Sequence, residues 1–229
     1  MDALGSRQFL QRVIPSLCTV PSAIRPLQPP PDFPHRTRAL DVGAGIGRVS
    51  QTVLLHLFSD VVLLEPVEKF VQQAFRSCQD SLGMTPQPPS LKRWKGIAEK
   101  SKSITFLQGA LQQFDPLHPE VNTKRLGCLG YDGETDDCFD VVWCQWCLGH
   151  LDNEGLVSFL RRAKVSLRSA PHSLIVVKEN LCRNQSDGGP RTVFDQQDSS
   201  LTRSVPPFLV LFFLIVCNMW FSQIRRRLA

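Results

Sequence analysis

Apolar positions follow two alternating rhythms from residue 39 onward. Five short, dense apolar runs cover residues 39–42, 61–65, 104–108, 140–145 and 174–178, the pattern of strands buried on both faces. Between them apolar residues recur at helical spacing. Val49, Val53, Leu54, Leu57 and Phe58 make one face, Val67, Phe70, Val71, Ala74 and Phe75 a second, and Leu156, Phe159, Leu160 and Ala163 a third. Alternating strands and helices predict an α/β fold with a parallel sheet covered by helices on both faces. Ahead of them, residues 5–20 predict a short amphipathic helix through Phe9, Leu10, Val13 and Ile14. The proline-rich stretch 21–34 then has to be an extended connection. Residues 83–103 and 117–137, rich in Pro, Gly and charge, predict surface loops.

The rhythm stops near Ser204. Residues 205–224 carry no charge, residues 208–217 are apolar without a gap, and three arginines follow at 225–227. A bilayer takes about 20 apolar residues, so this run lies at the lower limit for a span. The expected organisation is a domain over residues 1–204 and a foreign apolar tail over 205–229. We expect that tail to be an artefact of gene assembly and membrane attachment to be unlikely, with a marginal transmembrane anchor as the rival.

With 229 residues, 42% of them hydrophobic and 21% charged, the chain has the composition of one globular domain. Its net charge of +5 comes largely from the terminal arginines and from residues 92–102, so it defines no nucleic-acid face. Of the eight cysteines, Cys144, Cys147 and Cys217 sit in apolar runs, where a free thiol behaves as a small hydrophobe. The N-terminus lacks the basic-then-apolar order of a signal peptide. A reducing compartment, cytoplasm or nucleus, follows from both points. Cys144 and Cys147 form a CxxC, but no second ligand pair stands at metal spacing, so no metal is expected.

Candidate chemistry centres on RALDVGAGIGR. Gly43, Gly45 and Gly47 connect the first strand to the first helix, where backbone must approach a ligand closely. Asp41 precedes the turn, and Glu65 ends the second strand 22 residues after Gly43, placed to accept hydrogen bonds from ribose hydroxyls. A nicotinamide dinucleotide usually meets GxGxxG, whereas here the third glycine comes one residue early and Arg48 follows. The ligand that fits is S-adenosyl-L-methionine. It has no phosphate, its carboxylate can pair with Arg48, and its amine suits Asp41.

The turn LDVGAGIGR, the segment FDVVWCQWCLGHL, and the later FLRRAKVSLR and IVVKEN together resemble the eukaryotic alpha-N-terminal protein methyltransferases, from about Gly5 to Ser204. The resemblance implies a Rossmann-like class I methyltransferase sheet. It implies methyl transfer from S-adenosyl-L-methionine to the α-amine of proteins beginning Xaa-Pro-Lys or Xaa-Pro-Arg. By the same resemblance the cofactor contacts fall on Gly43, Arg48, Glu65, Pro66, Val67, Leu111, Gln112 and Gln145. The peptide contacts fall on Trp146, His150, Asn180, Asp195 and Asp198. Glu65 stands where the family has aspartate, and the family's N-terminal segment and last strands have no counterpart here, so the domain is expected to be incomplete at both ends.

For the chemistry, an α-amine with a pKa of about 8 is mostly protonated at neutral pH, so a base beside it helps. Asp198 and His150 are the candidates, with Asn180 holding peptide amides, Trp146 walling the proline ring and Asp195 pairing the basic third residue. Each also has an ordinary structural explanation: His150 as a helix cap near Asp152, Trp146 as core, and the aspartates and Asn180 as turn residues. Two other functions compete: a methyltransferase of the same fold with another substrate, and an inactive truncated remnant.

Overall fold

The computed structural model describes residues 2–17, 35–83, 93–135, 137–168, 173–205 and 220–221. A helix α1 (Asp2–Val13) opens the chain and a 3-10 turn over Pro15–Leu17 closes it, so the helix is shorter than its apolar spacing predicts. Pro15 supplies the stop, because it cannot donate to the helical ladder. The proline-rich connection expected over 21–34 lies outside the described residues.

Among the described residues seven strands form one sheet in the order β4-β3-β2-β1-β5-β6-β9, with β4 at Lys124–Gly130 and β9 at Trp220–Phe221 on its two edges. The predicted five are β1 (Arg38–Val42), β2 (Asp60–Glu65), β3 (Ser103–Gln108), β5 (Val141–Gln145) and β6 (Leu174–Lys178), all mutually parallel where they pair. Their side chains alternate between the two faces. Leu40, Val42, Val62, Leu64, Val142, Cys144, Ile175 and Val177 pack on one side, together with Leu156, Phe159, Leu160 and Ala163 of helix α4 (Asn153–Val165). Ala39, Val61, Leu63, Val141, Trp143 and Val176 pack on the other, against Leu10 and Ile14 of α1, Val53 and Leu54, and Val71 and Ala74 of α3 (Glu68–Leu82). Each fully buried Val, Leu, Ile or Phe contributes about 1.5–3 kcal/mol. The two-sided core follows from near-continuous apolar strands.

After β1 the chain turns through the glycines into a helix over residues 48–57. Its middle, Ser50–Leu54, is π-helical, and α2 (Leu55–Leu57) closes it. Val67 and Phe70 depart from the predicted helix face. They are 44% and 45% exposed, because α3 starts only at Glu68 and turns Val71, Ala74 and Cys78 inward.

Four described strands lie where the pattern predicts none. Strand β4 (Lys124–Gly130) falls inside the expected loop 117–137 and runs antiparallel to β3. An edge strand with two glycines and a charged start carries little apolar signal. Its Gly127 admits the Phe75 ring, which an added Cβ would meet at 2.8 Å. A second, two-stranded sheet joins β7 (Thr192–Asp195) to β8 (Ser200–Arg203), where only a polar loop is expected. Strand β9 (Trp220–Phe221) pairs in parallel with β6 at Val176 and Val177. The apolar run 206–219 and the arginines at 225–227 lie outside the described residues. Among the described residues no helix is long and apolar enough to cross a membrane.

Candidate functional site

The sheet changes direction at β1, which pairs with β2 on one side and β5 on the other. In open α/β sheets the crevice outside the carboxyl ends of such strands is where ligands bind. Here it is framed by the glycine turn, the start of α3, the turn over residues 109–114 and the turn over residues 146–151.

All three glycines of the turn are left-handed, with φ of 62° at Gly43, 58° at Gly45 and 80° at Gly47. Their surroundings differ. An added Cβ would lie 2.4 Å from the Cys147 Cβ at Gly43 and 2.5 Å from the Trp94 ring at Gly47, but would meet open space at Gly45. The turn is therefore pressed against the 146–151 turn at one end and the core at the other, with its middle facing out.

Glu65 holds this turn from below. Its two carboxylate oxygens accept the Gly45 N–H at 2.7 Å and the Val67 N–H at 2.9 Å. One side chain thus joins the glycine turn to the start of α3, a role additional to the ribose contact expected of it. Asp41 lies 1% exposed at the end of β1, accepts the Ser50 hydroxyl at 2.6 Å, and is pushed up to about 7 by burial. Arg48 stacks its guanidinium over the Trp146 ring, 5.7 Å from the centroid.

Leu111 is buried in the core beside Leu107 and Phe114, so it shapes the floor more than it faces a ligand. Gln112 donates to the His150 carbonyl at 3.4 Å, linking the 109–114 and 146–151 turns. Gln145 is buried and accepts the Trp143 indole N–H at 3.2 Å. Trp146 is 45% exposed with φ of 56°, a left-handed geometry that strains a non-glycine residue. Asp152, not His150, caps α4, its carboxylate accepting the Gly155 N–H at 2.7 Å.

Asp195 and Asp198 stand on the exposed β7–β8 hairpin, their carboxylates accepting the N–H groups of Gln197 and Ser200. The Ser200 hydrogen bonds hold Asp198 below the usual carboxylate range, and His150 is close enough to add to that effect. Leu201 and Ser200 pack over Gly149, where an added Cβ would meet the Leu201 carbonyl at 3.1 Å. The structure thus brings Gly43, Arg48, Glu65, Val67, Gln112, Trp146, His150 and Asp198 around one crevice. Pro66 and Asn180 are exposed at the ends of β2 and β6, and Asp195 lies farther back along the hairpin.

Three residues that sequence reasoning missed support these turns. Arg162 of α4 donates to the carbonyls of Phe114 at 2.8 Å, Leu111 at 3.1 Å and Gln112 at 3.2 Å. Glu179 accepts the N–H groups of Cys147 at 2.8 Å and Leu148 at 2.9 Å, and burial pushes it up to about 7. Arg203, fully buried, donates to the carbonyls of Leu148 and Leu151. Only Glu179, directly after the apolar run of β6, carries even a weak sequence signal; Arg162 and Arg203 sit among polar neighbours. Among the described residues no cluster of His, Cys, Asp and Glu could hold a metal ion.

Comparison with known proteins bears on what this crevice does. The sequence profile of the AdoMet dependent proline di-methyltransferases matches residues 1–225. The chain is 36% identical to alpha N-terminal protein methyltransferase 1 of Arabidopsis thaliana over 174 residues, 76% of this chain and 48% of that protein. It is 31% identical to human N-terminal Xaa-Pro-Lys N-methyltransferase 1 over 205 residues, 90% of this chain and 66% of that protein. It therefore spans about half the length of the plant relative and just under two thirds of the human one. A solved SAM-dependent methyltransferase from Leishmania major superposes with a TM-score of 0.56 at 26% identity, covering 93% of this chain and 60% of that one.

Proposed function

Because the chain belongs to the AdoMet-dependent proline di-methyltransferase family, we propose that it methylates the α-amine of proteins beginning Xaa-Pro-Lys or Xaa-Pro-Arg, with S-adenosyl-L-methionine as donor. One observation supports this reading: Arg48, just after the glycine turn, lies over the Trp146 ring, and the β7–β8 hairpin packs on Gly149 of the same 146–151 turn.

The residues present fit the cofactor. A desolvated carboxylate at Asp41, raised to about 7, is stabilised by an ammonium neighbour. Arg48 can pair a carboxylate, and Glu65, with lone pairs beyond its two backbone bonds, can accept ribose hydroxyls. Gly43, Pro66, Val67, Leu111, Gln112 and Gln145 would complete the cradle. Bound there, the cofactor supplies an electrophilic methyl group on a sulfonium sulfur.

The chain's own work is to orient the amine and keep it neutral. Asp198 is ionised at neutral pH and stands beside His150, so the pair can take the amine proton and pass it to solvent. Trp146, half exposed at the mouth, offers a flat wall to the proline ring, and Asn180 a donor and acceptor to peptide amides. Asp195 supplies a second negative charge toward a basic third residue. A reducing compartment, cytoplasm or nucleus, suits an enzyme whose described cysteines are all free thiols.

Peptides test this directly. A peptide beginning Ser-Pro-Lys should be methylated and one beginning Ser-Pro-Glu should not, since an acidic third residue facing two carboxylates costs several kcal/mol. Asp198→Asn should lower turnover at least tenfold, within the range of general-base effects, while S-adenosylhomocysteine affinity holds. Equal rates on both peptides would refute the specificity. Cofactor binding with neither peptide methylated would point to another substrate.

A further inference from the structure

The turn over residues 146–151 presents both Trp146 and His150, yet Trp146 is left-handed and the only regular structure is a short 3-10 turn over Leu148–His150. It is held by opposite charges from two sides. From β6, the Lys178 carbonyl accepts the Trp146 N–H at 3.1 Å, and the Glu179 carboxylate accepts the next two N–H groups. From β8, Arg203 donates Nη1 to the Leu148 carbonyl at 3.4 Å, Nη2 to the Leu151 carbonyl at 2.6 Å, and Nε to the Asn153 amide oxygen at 3.1 Å. Leu148 is thus held through both its N–H and its carbonyl.

Arg203 also ends the hairpin that carries Asp198. Its own carbonyl accepts the Cys182 N–H at 3.3 Å, and its strand partner is Thr192. A guanidinium buried this completely is expensive to desolvate, and an apolar side chain could fill the same space. What an apolar side chain cannot do is hydrogen-bond three oxygens at once. The guanidinium fork does so because its five donors have a fixed geometry.

On these grounds we propose that Arg203 is a positioning residue for the peptide site: it locks the β7–β8 hairpin to the 146–151 turn and so sets where Asp198 stands relative to His150 and Trp146. This rests on the reading of the crevice as a site for Xaa-Pro-Lys/Arg N-termini.

The test compares Arg203→Lys and Arg203→Met with the unaltered chain in three measurements: S-adenosylhomocysteine affinity by calorimetry, steady-state kinetics with a Ser-Pro-Lys peptide, and amide hydrogen exchange. Lysine keeps the charge and loses the fork. Losing charge-assisted bonds in that variant should raise peptide KM about tenfold, with the nucleoside affinity changed less than about threefold. Exchange should accelerate at residues 147–151 and 192–203, and Arg203→Met should exceed Arg203→Lys in every effect. A general loss of structure would instead weaken nucleoside and peptide binding together, and that outcome overturns the proposal. So does an Arg203→Lys protein with unchanged KM and unchanged exchange, whether or not Arg203→Met folds. If the unaltered chain methylates no such peptide, the functional reading fails, and exchange at the two segments still decides whether Arg203 locks them.

Discussion

Substituting alanine at each glycine of the turn separates three physical roles that the sequence shows as one repeat. Every substitution incurs the left-handed penalty, about 1–2 kcal/mol. At Gly45 nothing else follows, since the new Cβ meets open space. At Gly43 the Cβ would lie 2.4 Å from Cys147, where ordinary contact begins beyond 3.4 Å. Cys147 cannot retreat freely, because its N–H is held by Glu179. The glycine turn must give way instead, and overpacking of this kind typically costs about 1–3 kcal/mol. Gly43→Ala is therefore expected to lose about 2–5 kcal/mol in all, against about 1–2 for Gly45→Ala. The displaced atoms border the cofactor crevice, so much of this loss should appear as weaker S-adenosylhomocysteine binding, about 30-fold or more for Gly43→Ala. Gly47→Ala drives its Cβ into Trp94, Leu63 and Ala74, so it should reduce thermal stability more than affinity. Calorimetry on protein whose melting curve shows it folded gives the affinities. If Gly43→Ala and Gly45→Ala match in both affinity and stability, the close approach to Cys147 has no energetic weight and the reasoning fails.

Two further outcomes can be checked with the same materials. Asp41 rises from 3.8 to about 7 on folding, chiefly by burial, so the folded state keeps a proton that the unfolded chain releases. Its contribution is therefore most favourable below 3.8, falls as pH climbs through the interval to about 7, and is constant above it. Asp41→Asn keeps an acceptor for Ser50 and removes the titration, so the variant should gain stability relative to the parent between pH 4 and 8, by about 4 kcal/mol in all for a shift from 3.8 to about 7. Melting curves of the ligand-free proteins that stay parallel across this range would contradict it. Arg162→Met frees the carbonyls of Leu111, Gln112 and Phe114, and should weaken S-adenosylhomocysteine about tenfold with peptide KM little changed. An unaltered nucleoside affinity would show that the 109–114 turn holds itself.

Legibility followed the direction in which side chains act. The five central strands are dense with Val, Leu and Ile because both faces are covered, and each was readable to within a residue or so. Strand β4 and the β7–β8 hairpin were not, because pairing at an edge is made by backbone groups that any sequence carries. The site divides the same way. Glycines and the acidic residue ending β2 advertise a ligand turn, while the backbone partners of that acid do not show in the sequence. Arg162, Glu179 and Arg203 act on carbonyls and N–H groups of segments 31 to 55 residues away, so local spacing does not reveal what they hold. Asp195 and Asp198 read as residues of a polar loop, whereas in the structure Asp195 pairs with Ser200 and Asp198 stands in the turn between the two strands.

The π-helical stretch Ser50–Leu54 bears on how the length of this chain can vary. A π turn closes each hydrogen bond over one residue more than an α turn does. It therefore stores a single extra residue between the glycine turn and Phe58 while the helix on either side stays in register. Removing Gln51 or Thr52, both only partly buried, would let this segment close into an ordinary α-helix. Val49 would still face the core at one end and Leu55 and Phe58 at the other. Ser50, which donates to Asp41, borders the extra residue, so a one-residue deletion is expected to leave the sheet intact and to alter that one hydrogen bond, which a changed Asp41 titration would reveal.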